Sequence, residues 1–491
     1  MTLWTGLAST AIAYALCAWF VSRTFGLRVW ALVVRMLGPM LAVPHVAFAV
    51  GLVFLIAPSG WLLRAVSPWL TGFSQPPAWL TSQDPWGIGI VAVLVLKEVP
   101  FLLWAIATQL QRDDVGRRLG LELRAAQTIG YARHTAFWQV VWPQLAPRIT
   151  WPLLAVLAYG LTVVDVAQVA GPSNPSTLSV LAWQWLQDAS QITNAQGAIA
   201  GWLLVGTVIF SAVAWFVVTR WLKHRKTPSG DRGVDGNKLN SGIPALASLC
   251  IVYGAVLIAL LAGSFSGLWP FPLFLPSTWS LGAWDSVWSS KSTVLTTVAL
   301  AGASTALAMV WAVAWLECAP KTWDEAMRWA LYLPLLLPSV LWVVGVHRLT
   351  MGLGLGASWS ALIAAHSLAV LPYMVIALEP AYLGFDARYA QISASLGRNY
   401  GVFLLRVKWP ILRASLCAAA AVGLAVSVAQ YLPTLYVGEG RFATVTTEAV
   451  TLASGGQRSL VAAYAWLQWL IPATGFGLAA WLGRPRRYAH Q

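Results

Sequence analysis

Charged residues are scarce in this chain of 491 residues: Asp, Glu, Lys and Arg together make up 10%, whereas 58% of the residues are apolar. A soluble core of this size is not apolar along its whole length. Apolar stretches of about 20 residues recur, and each can cross a hydrocarbon core of about 30 Å as a helix. The scarcity of charge therefore argues against a soluble protein and predicts an all-α, polytopic membrane protein.

Catalytic and nucleotide-binding motifs are also missing. The sequence has no Gly-x4-Gly-Lys-Ser/Thr phosphate loop, so it shows no means of binding ATP. His-Glu-x-x-His, Cys-x-x-Cys and Gly-x-Ser-x-Gly do not occur, and the four cysteines have no metal-ligand spacing. We therefore predict no catalytic residue, no metal site and no cofactor in this chain.

Hydropathy predicts about eleven transmembrane helices. They lie near 2–22, 31–57, 88–110, 149–170, 198–222, 245–264, 293–316, 328–346, 359–380, 412–431 and 460–482. Pro39 and Pro44 predict a tilt or a kink within 31–57. Residues 223–242 are polar and rich in turn formers, which predicts a flexible linker. The chain thus divides into a first half, residues 1–222, and a second half, residues 243–491.

A pattern that occurs twice, 267 residues apart, relates the two halves. The first copy reads Arg124-Ala125-Ala126, three residues, Gly130, nine residues, then Val140-Val141-Trp142-Pro143. The second copy reads Gln391-Ile392-Ser393, three residues, Gly397, nine residues, then Val407-Lys408-Trp409-Pro410. A long repeat in a membrane protein indicates two homologous halves around a shared centre.

Aligning the halves on Gly130 and Gly397 leaves span 245–264 without a counterpart. Either a helix before residue 1 is missing from this chain, or the protein has lost that helix.

Basic residues predict the orientation in the membrane. If both repeated loops are cytoplasmic, 24 of the 31 Lys and Arg residues lie in cytoplasmic segments and five lie outside. This asymmetry agrees with the positive-inside rule. It places residues 223–242 and the C-terminus in the cytoplasm, and residues 58–87, 171–197, 265–291 and 432–458 outside. The net charge of +14 then follows from topology and needs no nucleic acid.

The repeated spacing resembles the cytoplasmic "EAA" loop of binding-protein-dependent ABC importer permeases. The match extends to Pro100-Phe101 and Pro372-Tyr373 before the loops, and it is closest to fused double permeases of the ferric-iron and thiamine type. Arg124 and Gln391 stand where the family has its glutamate. The resemblance implies a non-catalytic permease subunit of the bacterial inner membrane. Its implied partners are an ATPase dimer, which binds the ATP, and a periplasmic substrate-binding protein.

The resemblance also implies two coupling loops, residues 111–148 and 381–411, that dock onto the ATPase. Each glycine allows a sharp turn, and each proline begins the next membrane helix. The residues implied in coupling are Ala125, Ala126, Gly130, Val140, Pro143, Gly397, Val407 and Pro410.

Ionisable and polar residues within spans are candidates for the translocation path. They are Lys97 and Glu98, which point about 100° apart on a helix and so cannot simply pair, together with Asp165 and Gln430, which follow the two loops at similar depths. Hydrogen bonding to neighbouring helices is the alternative role. For the whole chain, an ion-coupled secondary transporter and a membrane-embedded enzyme are the alternatives, and iron, thiamine and polyamines are all compatible cargoes.

Overall fold

A computed structural model describes residues 1–81, 83–172, 174–225, 242–453 and 455–484. Within these ranges the chain is helical and contains no strand, only an isolated bridge between Ser266 and Trp279. The predicted all-α class is confirmed.

Helices of the first half begin and end as follows: α1 (Thr2–Thr24), α2 (Arg28–Leu41), α3 (His45–Ile56), α4 (Trp61–Val66), α5 (Ile88–Leu110), α6 (Asp113–Thr128), α7 (Arg133–Ala136), α8 (Trp142–Leu145), α9 (Thr150–Thr162), α10 (Asp165–Ala170), α11 (Leu178–Leu186) and α12 (Gln191–Arg225). Those of the second half are α13 (Gly242–Ser264), α14 (Gly282–Ser289), α15 (Lys291–Cys318), α16 (Lys321–Leu336), α17 (Ser339–Gly352), α18 (Trp359–Leu383), α19 (Arg388–Ser395), α20 (Tyr400–Phe403), α21 (Trp409–Ile411), α22 (Arg413–Val428), α23 (Leu432–Val437), α24 (Val445–Ala453) and α25 (Arg458–Leu482).

Seven helices of the described chain are long and apolar enough to span a membrane, and up to nine if each of two bent pairs is one span. The two other predicted spans, 149–170 and 460–482, correspond to the pair α9–α10 and to α25. All eleven predicted segments are thus helical, but 31–57, 149–170 and 328–346 are each divided into two helices. Hydropathy misses these divisions because both pieces are apolar.

Four residues at the ends of the predicted linker, 223–225 and 242, are helical. Helix α12 extends to Arg225 and α13 begins at Gly242. The other linker residues, 226–241, lie outside the described residues.

The two halves repeat the same helix packing. Helix α1 packs against α5 and α9, as α15 packs against α18 and α22. Helix α3 contacts α10 in the first half, as α17 contacts α23 in the second. Equivalent helices therefore occupy equivalent places.

Helix α13, the span without a counterpart, packs against α3 of the first half and against α25. Gly51 permits the close approach, because a Cβ at this position would lie 2.6 Å from Cγ1 of Val256. Gly345 holds the same place in α17, seven residues after Pro338 as Gly51 is seven after Pro44. A Cβ on Gly345 would meet nothing within 4 Å. The surface of α17 at Gly345 is thus uncovered, whereas the equivalent surface of α3 at Gly51 is covered by α13.

Among the described residues, four helix breaks interrupt the bundle, between α2 and α3, α9 and α10, α16 and α17, and α22 and α23. Pro44 and Pro338 precede α3 and α17; proline lacks a backbone N–H, and it disfavours helical geometry in the residue before it. At the break before α17, the chain bends by 111° between α16 and α17. Broken helices in membranes leave backbone groups that need partners from protein or a cavity.

Candidate translocation cavity and coupling segments

A cavity of about 220 Å³ lies where the four helix breaks meet. Every break contributes to its wall, with the residues Val43, Pro44, Val163, Val164, Leu337, Ser339, Ala429 and Gln430. Both halves line the cavity, so it is the shared centre that the internal repeat predicts.

All four residues proposed from the sequence for the translocation path lie around this cavity. Lys97 is buried, and its ammonium turns towards the break between α2 and α3. There Nζ donates a hydrogen bond to the carbonyl oxygen of Met40 at 3.1 Å and another to that of Val43. Nζ also lies 5.6 Å from the ring centroid of Tyr253 on α13. Lys97 therefore has its partners in the protein.

Two carboxylates face the cavity from the first half. Oε1 of Glu98 lies 3.0 Å from Nε2 of His45, the first residue of α3. Oδ1 of Asp165 accepts hydrogen bonds from the Tyr159 hydroxyl at 3.3 Å and from the Val166 N–H at 2.9 Å. The rings of His45 and Tyr159 are 4.8 Å apart, so these groups form one polar wall.

The second half offers no charge at the corresponding places. In the register of Pro100 and Pro372, Ala369 corresponds to Lys97 and lines the cavity as Lys97 does. Ser339, the first residue of α17, takes the place of His45. Gln430 donates a hydrogen bond to the carbonyl oxygen of Val426 at 3.2 Å. The cavity is therefore charged on one side and neutral on the other.

Aromatic residues of the cavity were only partly visible in the sequence. Phe101 and Tyr373 follow the matched prolines, and their rings lie 6.1 Å apart in the cavity wall. Trp104, Tyr159 and Trp342 also line it but carry no sequence signal. They meet because α5, α9 and α17 converge on the cavity.

The regions predicted as coupling loops, which we call coupling segment 1 (residues 111–148) and coupling segment 2 (residues 381–411), share one design. Each has a helix, a glycine turn, a short helix and a π-helical turn, which spans Phe137–Val141 in the first and Leu404–Lys408 in the second. Gly130 and Gly397 have φ of 96° and 70°. The π-turns are 267 residues apart, as are the glycines, so the repeat extends to backbone conformation.

The tips of both segments carry an exposed apolar residue that the sequence analysis missed. Ile129 and Leu396, directly before the two glycines, are 65% and 72% exposed. Among the residues implied in coupling, Ala126 is buried and Val140 and Val407 are half-buried, and the exposed ones are Ala125, Gly130, Pro143, Gly397 and Pro410. The sequence signal that could have identified them is the apolar residue directly before the glycine in both copies of the repeat.

Coupling segment 1 is anchored on the first half. Phe137, Val141 and Leu145 are buried in the core of that half. The Gln144 side chain joins the turn to α6, where Nε2 donates to Oε2 of Glu122 at 2.6 Å.

Coupling segment 2 is anchored through Glu317, at the end of α15. Nζ of Lys408 lies 2.8 Å from Oε2 of Glu317, and the Tyr400 hydroxyl donates to Oε1. Trp409 Nε1 donates to the Tyr382 hydroxyl at 3.0 Å. The two segments share a backbone design but have different anchors.

Two further ionisable residues within spans lie outside the cavity wall. His366 is buried, with its ring nitrogens 3.0 Å from the hydroxyl oxygens of Ser427 and Thr434. Glu379 accepts a hydrogen bond from the Tyr332 hydroxyl at 3.3 Å. These groups join helices of the second half.

Paired helical halves, a cavity at their breaks and twin segments beyond the bundle define a membrane transport protein. The chain is 33% identical over 518 aligned residues to the inner membrane ABC transporter permease protein YnjC of Escherichia coli (strain K12), covering 99% of this chain and 92% of that protein. It therefore belongs to the ABC transporter permeases and acts as a permease subunit, a multi-pass protein of the inner membrane.

A second similarity covers part of the chain. The molybdenum transport system permease proteins ModB of Mycobacterium bovis and Mycobacterium tuberculosis are each 27% identical over 173 residues, which is 31% of this chain and 66% of each relative. No family model matches the chain.

Proposed function

We propose that this permease passes a small solute from a periplasmic binding protein through the central cavity to the cytoplasm. In this proposal a separate ATPase dimer binds and hydrolyses ATP, and each ATPase docks one coupling segment. The observation that carries the proposal is the pair of coupling segments with exposed apolar tips.

Ile129 and Leu396 support docking because each is a large, exposed apolar side chain directly before a glycine of positive φ. Contiguous apolar surface on a protein marks an interaction site, and an anchor residue in a partner's pocket contributes most of the binding energy. Beside Leu396, Ile392 and Leu405 are also exposed, at 57% and 64%. Since the two segments differ in sequence, two identical ATPase subunits would make non-equivalent contacts.

The placement of the C-terminus in the cytoplasm belongs to the same proposal. Arg413, directly after coupling segment 2, donates to the carbonyl oxygen of Arg484 beyond α25. At the other end of α25, Arg458 donates to the Ser59 hydroxyl in the loop predicted outside. The C-terminal end of α25 thus lies on the side of the coupling segments, where basic residues concentrate.

An ion-coupled secondary transporter also has twin halves around a central site. It has no need of two matching segments for an external motor, and the similarity to ABC transporter permeases argues against it.

Co-purification tests the docking. The permease and a candidate ABC ATPase of the same organism are expressed together, and the amount of ATPase retained on tagged permease is measured. We expect wild-type permease to retain the ATPase and the double variant Ile129→Glu, Leu396→Glu to lose it, because a carboxylate cannot enter an apolar pocket unpaired. Leu268→Glu is the matched control, since Leu268 is 74% exposed in the loop predicted outside.

Retention of the ATPase by the double variant at the wild-type level would contradict the proposed docking. Solute accumulation by purified permease in liposomes, driven by an ion gradient without ATPase, would contradict the ATP-driven mechanism.

A further inference from the structure

We propose that the central cavity binds an organic cation, held between the carboxylates of the first half and a ring of aromatic side chains. This inference names the cargo class and rests on the proposed function, since it takes the cavity as the path of the solute.

The charge of the cavity wall favours a cation. Lys97 and Glu98 carry opposite formal charges side by side, and the Lys97 ammonium is directed at the carbonyl oxygens of Met40 and Val43. In the described part of the chain, the hydrogen bonds that the Asp165 carboxylate accepts come from neutral groups, the Tyr159 hydroxyl and the Val166 N–H. Apart from the His45 imidazole, the wall holds two carboxylates and one lysine ammonium, an excess of one negative charge. A bound cation would compensate this charge, which is costly in a low-dielectric interior.

Aromatic faces supply the rest of the site. The rings lining the cavity include Phe101, Trp104, Tyr159, Trp342, Tyr373 and Tyr431. The faces of such rings attract cations that are too weakly hydrated to need a full shell of oxygen ligands, notably quaternary and aromatic nitrogen cations. A wall with few polar groups among many rings is typical of sites for organic ligands.

Metal ions fit this wall poorly. No group of three or more His, Cys, Asp or Glu side chains in the described part of the chain is arranged to hold a metal ion. Glu98 is already engaged by His45 at 3.0 Å, and Asp165 by Tyr159. A metal ion such as Ca²⁺ or Mg²⁺ would not find the number of oxygen ligands that it requires.

Oxyanions fit it poorly as well. An oxyanion requires cations or several free N–H donors, whereas the Lys97 ammonium is turned to backbone carbonyl oxygens and two carboxylates remain. The wall therefore does not favour an oxyanion such as molybdate.

A binding measurement on the full chain in lipid nanodiscs, without ATPase or ATP, tests the proposal. Radiolabelled choline is the probe, and empty nanodiscs are the blank. We expect saturable binding that benzyltrimethylammonium displaces. The neutral carbon analogue of choline, 3,3-dimethylbutan-1-ol, and molybdate should not displace it.

We expect Asp165→Asn to weaken binding about tenfold, because it removes the charge but keeps the size and an acceptor for Tyr159. Asp188→Asn, in an exposed turn outside the cavity, is the matched control.

A pair of substitutions at Tyr373 tests the aromatic contribution. Tyr373→Phe keeps the ring and should leave the affinity within about twofold, whereas Tyr373→Leu removes the ring face and should weaken binding several-fold. The variants are compared at equal yield and equal monodispersity. Normal folding of Tyr373→Phe shows that the permease tolerates a substitution at this position.

Three results would overturn the inference: displacement by molybdate, displacement by the neutral alcohol as effective as by benzyltrimethylammonium, or binding unchanged by Asp165→Asn. Absence of choline binding to the wild-type chain would overturn it too. Since no ATPase is present, these outcomes leave the docking of coupling segments untouched, and a failed co-purification leaves the binding result valid.

Discussion

At the scale of single residues, Lys97 and Glu98 show how neighbours in sequence acquire separate tasks. Side chains of adjacent helical residues point about 100° apart, so they reach different neighbours. Lys97 binds the carbonyl oxygens that end α2, and Glu98 contacts His45, which begins α3. Together the two residues of α5 hold both sides of one helix break. The second half has Ala369 and Val370 in this register, so its break lacks such a connection.

We therefore expect Lys97→Met to lower the thermal unfolding midpoint of the purified permease. Removing the ammonium leaves the Met40 and Val43 carbonyl oxygens without their donor and leaves Glu98 as an uncompensated buried charge. Hydrogen bonds of charged groups contribute about 1.5–3 kcal/mol each. Lys291→Met is the control, since Lys291 is exposed at the start of α15. Equal midpoints for Lys97→Met and wild type, measured in the same detergent, would show that Lys97 does not stabilise the break.

At the scale of elements, each coupling segment combines a glycine turn of positive φ with open space around the glycine. Gly130 and Gly397 have positive φ, and a Cβ at either position would meet nothing within 4 Å. A side chain there is opposed by backbone conformation alone, because L-residues pay about 1–2 kcal/mol in the left-handed region. The glycines thus set the direction of the tip, and substitution should alter that direction without a packing clash.

We expect Gly130→Val and Gly397→Val to uncouple ATP hydrolysis from uptake while the permease still inserts into the membrane. β-Branched residues adopt positive φ with particular difficulty, so the turn should open and move Ile129 or Leu396. Gly120→Val is the control: Gly120 lies in α6 without positive φ, and a Cβ there also meets open space. The measurement is solute taken up per ATP hydrolysed in proteoliposomes. Full coupling in both tip variants, at normal expression, would refute a role for the turn.

At the scale of the whole molecule, each end of the helix bundle has its own contacts between loops. Arg133 of coupling segment 1 donates to the carbonyl oxygen of Phe25, between α1 and α2. At the other end, Arg64 is buried and donates to the carbonyl oxygens of Pro270 and Leu273. The loops thus gather at two ends of the bundle, and which end faces the cytoplasm stays a prediction from the basic residues.

Cysteine labelling tests the predicted orientation. In a background without the four native cysteines, we expect Ser190→Cys to react with an impermeant maleimide in intact spheroplasts and Ser395→Cys to react only after lysis. Both positions are exposed, the first between α11 and α12 and the second before Gly397. The reverse pattern would invert the map and remove the coupling segments from the cytoplasm.

The sequence by itself determined the membrane class and the places of the glycine turns, and it predicts two halves. These features are local: transfer of an apolar stretch into lipid depends on that stretch, and a turn with positive φ depends on its glycine. It also indicated Lys97, Glu98, Asp165 and Gln430, because ionisable or polar groups in spans are costly unless they have a role.

Only the tertiary structure decided how these residues meet. The contact of Glu98 with His45 joins positions 53 residues apart, and that of Lys97 with Val43 joins positions 54 apart. Such contacts depend on where each helix breaks and how it turns afterwards. Val163 and Val164 show the reason: both are apolar like their neighbours, yet the break there turns Asp165 towards Tyr159 and into the cavity. Hydropathy measures transfer from water, and it carries no information on direction within the bundle.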